Sequence, residues 1–210
     1  NEHMDFCYEN GGEALALTDH GNMNGFSHQF LHWQKMKEEG KEFKPIFGVE
    51  AYFLPSIDEW RDDYERIKED KKLAKSLAKQ GDTSGATVED EDASKKAIKS
   101  VINRRRHLVL LAQNQTGLNN LFKLISASYK EENFYRYPRV DYKMLAEHSE
   151  GVIAASACLG GPYAGNYWEN RDEGPEAVRE AMRETTRNFL EVFGDRWYGE
   201  LQWNNIPEQH

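Results

Sequence analysis

Asp19 and His20 stand in the run Thr18-Asp19-His20-Gly21-Asn22, directly after the apolar stretch Ala14-Leu15-Ala16-Leu17. An imidazole fixed at a strand's end can bind a metal through one ring nitrogen while a neighbouring carboxylate orients the ring or its partners. Asp-His-Gly is also ordinary turn chemistry, but its place at the end of a buried-type strand favours a site. Glu50 is the second candidate, the only charged side chain between Pro45 and Pro55 in an otherwise apolar run. A carboxylate there needs a cation, an arginine partner or a raised pKa, unless it faces solvent at a sheet edge. His107 and Cys158 add nitrogen and sulfur donors. With His20 and Glu50 they suit zinc or a zinc/manganese mixture better than an oxygen-only magnesium site. No local spacing ties the four together. Read singly, His107 fits a hydrogen-bonded residue at a strand start and Cys158 a small buried hydrophobe. Their positions also conflict, because His107 opens its strand whereas His20 and Cys158 follow theirs. A strand running antiparallel to its neighbours, or a bent one, reconciles them.

Other chemistries find less support. Ser156-Ala157-Cys158-Leu159-Gly160-Gly161 places a nucleophile before glycines but lacks the Gly-x-Ser-x-Gly arrangement and an identified base. There is no Walker-type loop and no dinucleotide fingerprint. Arg104-Arg105-Arg106 and Tyr135-Arg136-Tyr137-Pro138-Arg139 could contact phosphates, the tyrosines offering stacking surfaces; the alternative for each is a solvated loop.

The elements that must carry these residues follow from periodicity. Met4, Cys7 and Tyr8 at helical spacing, then Asn10-Gly11-Gly12, predict a helix and its stop. Phe26, Phe30, Trp33 and Gly40 predict an amphipathic helix over 24–39, and a strand follows between Pro45 and Pro55. From 58 to 106 charges interleave and apolar residues thin out, with Gly81-Asp82-Thr83-Ser84-Gly85 breaking two charged helical pieces; this reads as a solvated insertion. His107–Ala112 is a buried-type strand, and Leu118, Leu121, Phe122, Ile125 and Tyr129 make a helical stripe. Asp141 can cap a short helix, Val152–Ser156 is a strand, Pro175 opens a long helix stopped by Gly194, and Trp197–Gln202 is a last strand. Alternating strands and helices imply an α/β fold with a mostly parallel sheet, open or barrel-like, with its site at the strands' C-terminal ends.

Composition bounds the function. With 39% hydrophobic residues in 210, the chain can bury a real core. A net charge of -9 argues against a general nucleic-acid coat, so DNA must be gripped locally or by another part of a larger protein. Two cysteines make no disulfide framework and no apolar run reaches the ~20 residues of a membrane span, which predicts a cytoplasmic chain without membrane association. The opening Asn-Glu-His-Met reads as a cut end.

Taken in order, Ala14–Asn22, Lys44-Pro45-Ile46-Phe47-Gly48-Val49-Glu50-Ala51-Tyr52, His107–Asn114, Ser149–Ile153 and Glu200-Leu201-Gln202 resemble the PHP (polymerase and histidinol phosphatase) domain of bacterial DNA polymerase III alpha subunits. The resemblance implies a distorted, seven-stranded TIM-like barrel, incomplete here, with metals clustered at one end. It implies a layout of 1–57 as the first part of the domain, 58–106 as the charged insertion and 107–210 as the continuation. His20, Glu50, His107 and Cys158 would be metal ligands and Asp19 would support His20. The family's His-x-His pair is expected upstream of Asn1 and its Asp-x-His pair beyond His210, so the chain alone should bind metal weakly and show little activity. The long insertion departs from the compact family pattern, as in a divergent or phage-encoded relative. The activity implied is metal-dependent phosphoesterase chemistry, a proofreading 3'-5' exonuclease in the complete protein. Its cofactors would be zinc and/or manganese, with magnesium reserved for polymerase domains outside this chain. Its partners would be DNA, the other polymerase domains of the polypeptide and replisome subunits. The alternatives are a non-catalytic domain that braces the polymerase or docks a separate exonuclease, and a stand-alone phosphatase.

Overall fold

Strand β2 (Lys44–Phe53) organises the fold, because three other strands pair with it. The computed structural model describes residues 1–79, 96, 99–204, 206 and 207. Ahead of β2 come α1 (Glu2–Glu9), β1 (Ala14–His20) and α2 (Phe26–Glu38). After it come α3 (Ile57–Lys79), β3 (Arg106–Ala112), α4 (Gln115–Ser128), the short hairpin β4 (Phe134–Tyr135) and β5 (Tyr137–Val140), and α5 (Tyr142–Glu147). The chain continues through β6 (Val152–Ala155), α6 (Pro162–Asn170), α7 (Pro175–Phe193) and β7 (Trp197–Tyr198). The predicted break at Gly81–Gly85 lies outside the described residues.

The strand order is β4-β5-β2-β3-β6-β7, with β1 beside the first part of β2 on the edge that β5 meets at its end. The principal sheet has six strands, and β4 joins only through its hairpin with β5. One expectation needs correction. The sheet is open rather than a closed seven-stranded barrel: no ladder joins β7 back to the opposite edge among the described residues. It is mostly parallel, as expected, with one reversed strand: β3 runs antiparallel to both β2 and β6. This reversal resolves the positional conflict of His107, for the start of an antiparallel strand lies beside the ends of its neighbours. The last strand is shorter than predicted, ending at Tyr198.

Alternation along β2 and β3 separates two faces. Val49, Ala51, Phe53, Leu108 and Leu110 are at most 2% exposed and point toward the helices. There Leu121 and Leu124 of α4, Leu145 of α5, and Phe189 and Phe193 of α7 complete the main core. Glu50, Tyr52, His107 and Val109 occupy the opposite, half-buried face. A smaller cluster of Leu54, Ile57, Trp60 and Val101 roots both ends of the charged segment against the body.

Two buried polar residues hold these roots. Arg139 is fully buried, with its guanidinium 4.0 Å from the Trp60 ring centroid. It donates to the carbonyls of Ile102 (2.5 Å), Tyr135 (2.9 Å) and Tyr137 (3.1 Å), and more distantly to Arg104 (3.4 Å). Burial first, and then the charge of Arg105, pull its pKa down to about 10, which leaves it cationic at neutral pH. Asp141 caps α5 by accepting from the Met144 N–H at 3.0 Å, as its position predicts. Its other oxygen accepts from the Ile57 N–H at the start of α3, at 3.1 Å. One carboxylate therefore serves two helix starts. Asp141→Ala is expected to cost about 2–3 kcal/mol, the sum of a lost cap and a buried N–H left unpaired. Urea unfolding checks this, and Asp141→Asn should recover part of the loss.

Candidate metal centre

His20 ends β1, Glu50 lies directly opposite it on β2, and His107 lies on β3 opposite Tyr52, two register positions along on the same face. Sheet register thus brings together three side chains far apart in sequence. Glu50 Oε1 lies 2.7 Å from His107 Nδ1 and 3.2 Å from His20 Nδ1. One potential ligand atom from each of the three residues falls within 4.8 Å of the others. The two imidazoles meet edge to face at 5.5 Å between centroids.

The Glu50 carboxylate is the diagnostic group. Its Oε1 is shielded from solvent and faces the two imidazole nitrogens. A shielded carboxylate oxygen needs positive charge or donors around it, which a cation held with the two rings would supply. Burial is the largest influence on the Glu50 carboxyl and pushes its pKa up. His107, by hydrogen bonding and charge, and His20, by charge, together outweigh it and hold the group below the usual glutamate value. The ionised form that a metal requires is therefore favoured. His20 is the exposed member, its side chain 61% accessible against 25% for His107 and 15% for Glu50, so the cluster opens to solvent past His20.

Cys158 reaches the cluster through His107. Its Sγ lies 3.5 Å from His107 Nδ1 and accepts from the Gly160 N–H at 3.3 Å. The loop is wound tightly to achieve this. Ala157 takes a left-handed φ of 56°, unusual for a residue with a Cβ, and the His107 N–H donates to the Gly160 carbonyl at 2.8 Å. A Cβ on Gly160 would stand 2.8 Å from His107 Nδ1. Gly160→Ala should therefore displace the ring and weaken zinc binding about 10-fold or more, as disturbed outer-shell contacts do. A competition titration against a chromogenic chelator reads this directly.

Asp19 is placed elsewhere. Strand alternation turns it, with Leu17, toward α2, where its carboxylate accepts from the Gly25 N–H at 2.7 Å. It holds the turn into α2 rather than the His20 ring. Gly21, the next motif residue after His20, has φ 68°, and a Cβ there would meet Tyr52 at 2.8 Å and Pro138 at 3.1 Å, so glycine lets this turn seat against the site wall.

That wall is where the sequence reading was incomplete. Tyr52 has its ring 5.8 Å from His107 and 6.4 Å from His20, and it was readable as a neighbour because it lies two residues after Glu50 on one strand face. Gly160 carries no comparable signal. Among the arginines flagged for phosphate, Arg139 is buried on backbone carbonyls, and Arg104 and Arg106 are paired with Asp63 and Glu169.

The family profile described as "PHP domain" matches residues 1–204. The chain is 36% identical over 201 residues to the DNA polymerase III subunit alpha of Aquifex aeolicus, covering 96% of this chain and 14% of that protein. It is 33% identical over 196 residues to that of Deinococcus radiodurans, covering 93% and 11%. It is 35% identical over 195 residues to that of Borreliella burgdorferi, covering 93% and 13%. The chain thus spans only a small part of the length of these relatives.

Proposed function

The chain belongs to the PHP domain family, and from that membership we propose that it is the metal-dependent phosphoesterase domain of a replicative DNA polymerase III alpha subunit, acting on DNA ends as a 3'-5' exonuclease. The observation that carries the reading is the shielded Glu50 oxygen between two imidazole nitrogens. Two imidazoles and a carboxylate are a donor set that suits zinc, with manganese as the alternative. His20, Glu50 and His107 would hold the cation, and Cys158 would either join them or fix the His107 ring. Bound there, such a cation would supply Lewis acidity toward a phosphate oxygen and toward water.

The protein's own contribution is positional. Glu50 provides negative charge at the floor and His107 is braced by the 157–161 loop. His20 stands at the mouth, where a DNA end would enter. Asp19 keeps the turn behind His20 in place through Gly25. Hydrolysis of a single-stranded 3' end by the full-length protein should be abolished by chelator and fall at least about 100-fold in His20→Ala. Activity surviving both treatments would refute the assignment.

A second reading, a domain that braces its polymerase without cutting, draws on a different observation. Leu201 and Trp203 are fully exposed beyond β7, and such apolar side chains suit contact with further polypeptide, here the remaining polymerase domains. A full-length protein that binds metal but never hydrolyses DNA would favour this reading. No helix among the described residues is long and apolar enough to cross a membrane.

A further inference from the structure

The three consecutive arginines before β3 have unequal fates. Arg104 is paired with Asp63 at 2.7 Å and Arg106 with Glu169. Arg105, between them, has no carboxylate partner among the described residues. Its guanidinium is gripped by aromatic rings instead, 3.8 Å from the centroid of Tyr137 and 5.1 Å from that of Tyr52. The two tyrosines meet edge to face at 5.5 Å and so form a fixed corner. One amino group donates to the Asn103 carbonyl at 3.0 Å, while the Nε donor is buried and unpartnered. Tyr52 also borders both His107 and His20. A rigid, half-buried cation with spare donors therefore lies one aromatic ring away from the candidate metal cluster, in a chain whose net charge is -9.

An unpaired guanidinium in an acidic protein is an anion site in waiting, and its planar fork matches a phosphate. Ring stacking lowers the entropy lost on binding by fixing the side chain beforehand. We infer that Arg105, held by Tyr52 and Tyr137, binds a backbone phosphate of a polynucleotide whose neighbouring phosphate lies at the His20–Glu50–His107 cluster. The inference rests on the phosphoesterase reading for its substrate class. It adds a positioning residue that keeps the strand in register with the cluster and favours a polynucleotide over a lone phosphomonoester.

The test is anisotropy of a fluorescein-labelled octathymidylate with the 210-residue chain, titrated with salt in the presence of EDTA. Chelation makes binding independent of the metal, so failure of the phosphoesterase reading would leave this assay interpretable. Arg105→Gln should raise Kd about 5- to 10-fold at low salt and lower the slope of log K against log salt by about 0.7, the share of one phosphate on a single strand. Arg105→Lys should keep the slope and lose part of the affinity, since it retains charge without the fork. Arg187→Gln, which removes an exposed arginine paired with Glu180 on α7, should change neither quantity. Unchanged Kd and slope in Arg105→Gln, an equal loss in Arg187→Gln, or no binding by the unmodified chain would each overturn the inference. Loss confined to inorganic phosphate, used as a competitor, would overturn the polynucleotide in favour of a free phosphate.

Discussion

Arg139→Met should lower the unfolding free energy by about 3–5 kcal/mol, among the largest effects of any single change outside the metal cluster. Methionine fills much of the arginine's volume, so little of the loss would come from a cavity. The cost arises from the carbonyls of Ile102, Tyr135 and Tyr137, which lose their shared donor in a buried setting. An unpaired buried acceptor costs about 1–3 kcal/mol, and loss of stacking on Trp60 adds to it. Arg139→Lys should recover less than half, because an ammonium keeps the charge but cannot span the same acceptors. The change should also loosen the joint between the charged segment and the sheet, which Arg139 ties to the hairpin and to Trp60. Chemical denaturation with Trp fluorescence would record both effects; a loss below about 1 kcal/mol would mean that the carbonyls find water instead.

The second large effect concerns the metal. His107→Ala and Glu50→Gln should each weaken zinc binding at least about 100-fold, beyond the 10- to 100-fold typical of outer-shell changes, because each would remove a donor of the proposed cation site. Glu50→Gln is the sharper variant. It keeps the shape and leaves the imidazoles in place, yet removes the charge that faces them at 2.7 and 3.2 Å. Cys158→Ser should cost less if the thiol acts by bracing His107, and a comparable amount if it is a ligand. Binding should weaken on acidification, since protons compete for the imidazole nitrogens. Without metal, Glu50→Gln should cost a little stability at neutral pH, because the fold holds the carboxyl below its usual value. Equilibrium dialysis with elemental analysis separates these outcomes.

Much of this site was legible in the sequence because its residues break the patterns around them. Glu50 interrupts an apolar strand, and His20 and His107 sit at strand termini, where polar side chains reach a surface. The start position of His107 even called for an antiparallel or bent strand, and β3 is the reversed strand. Asp19 departs from the role that adjacency and the family resemblance imply: adjacent residues in a strand face opposite ways, and β1 continues through His20 rather than stopping at Leu17, which turns Asp19 to Gly25. Arg139 could not have been found this way. Its partners are backbone carbonyls, which leave no mark in composition, so Tyr135–Arg139 read as a phosphate-binding or solvated loop. Trp60, Val101 and Ile102 were likewise submerged in a highly charged stretch, although they anchor it. The open edge of the sheet depends on long-range pairing that no local periodicity encodes.

X-ray absorption at the zinc edge of the loaded 210-residue chain reads whether one divalent cation joins His20, Glu50 and His107. The expected first shell is nitrogen and oxygen at about 2.0–2.2 Å with the scattering signature of two imidazoles, reduced to one imidazole in His107→Ala. A first shell without imidazole, or one unchanged in His107→Ala, would rule out the shared cation.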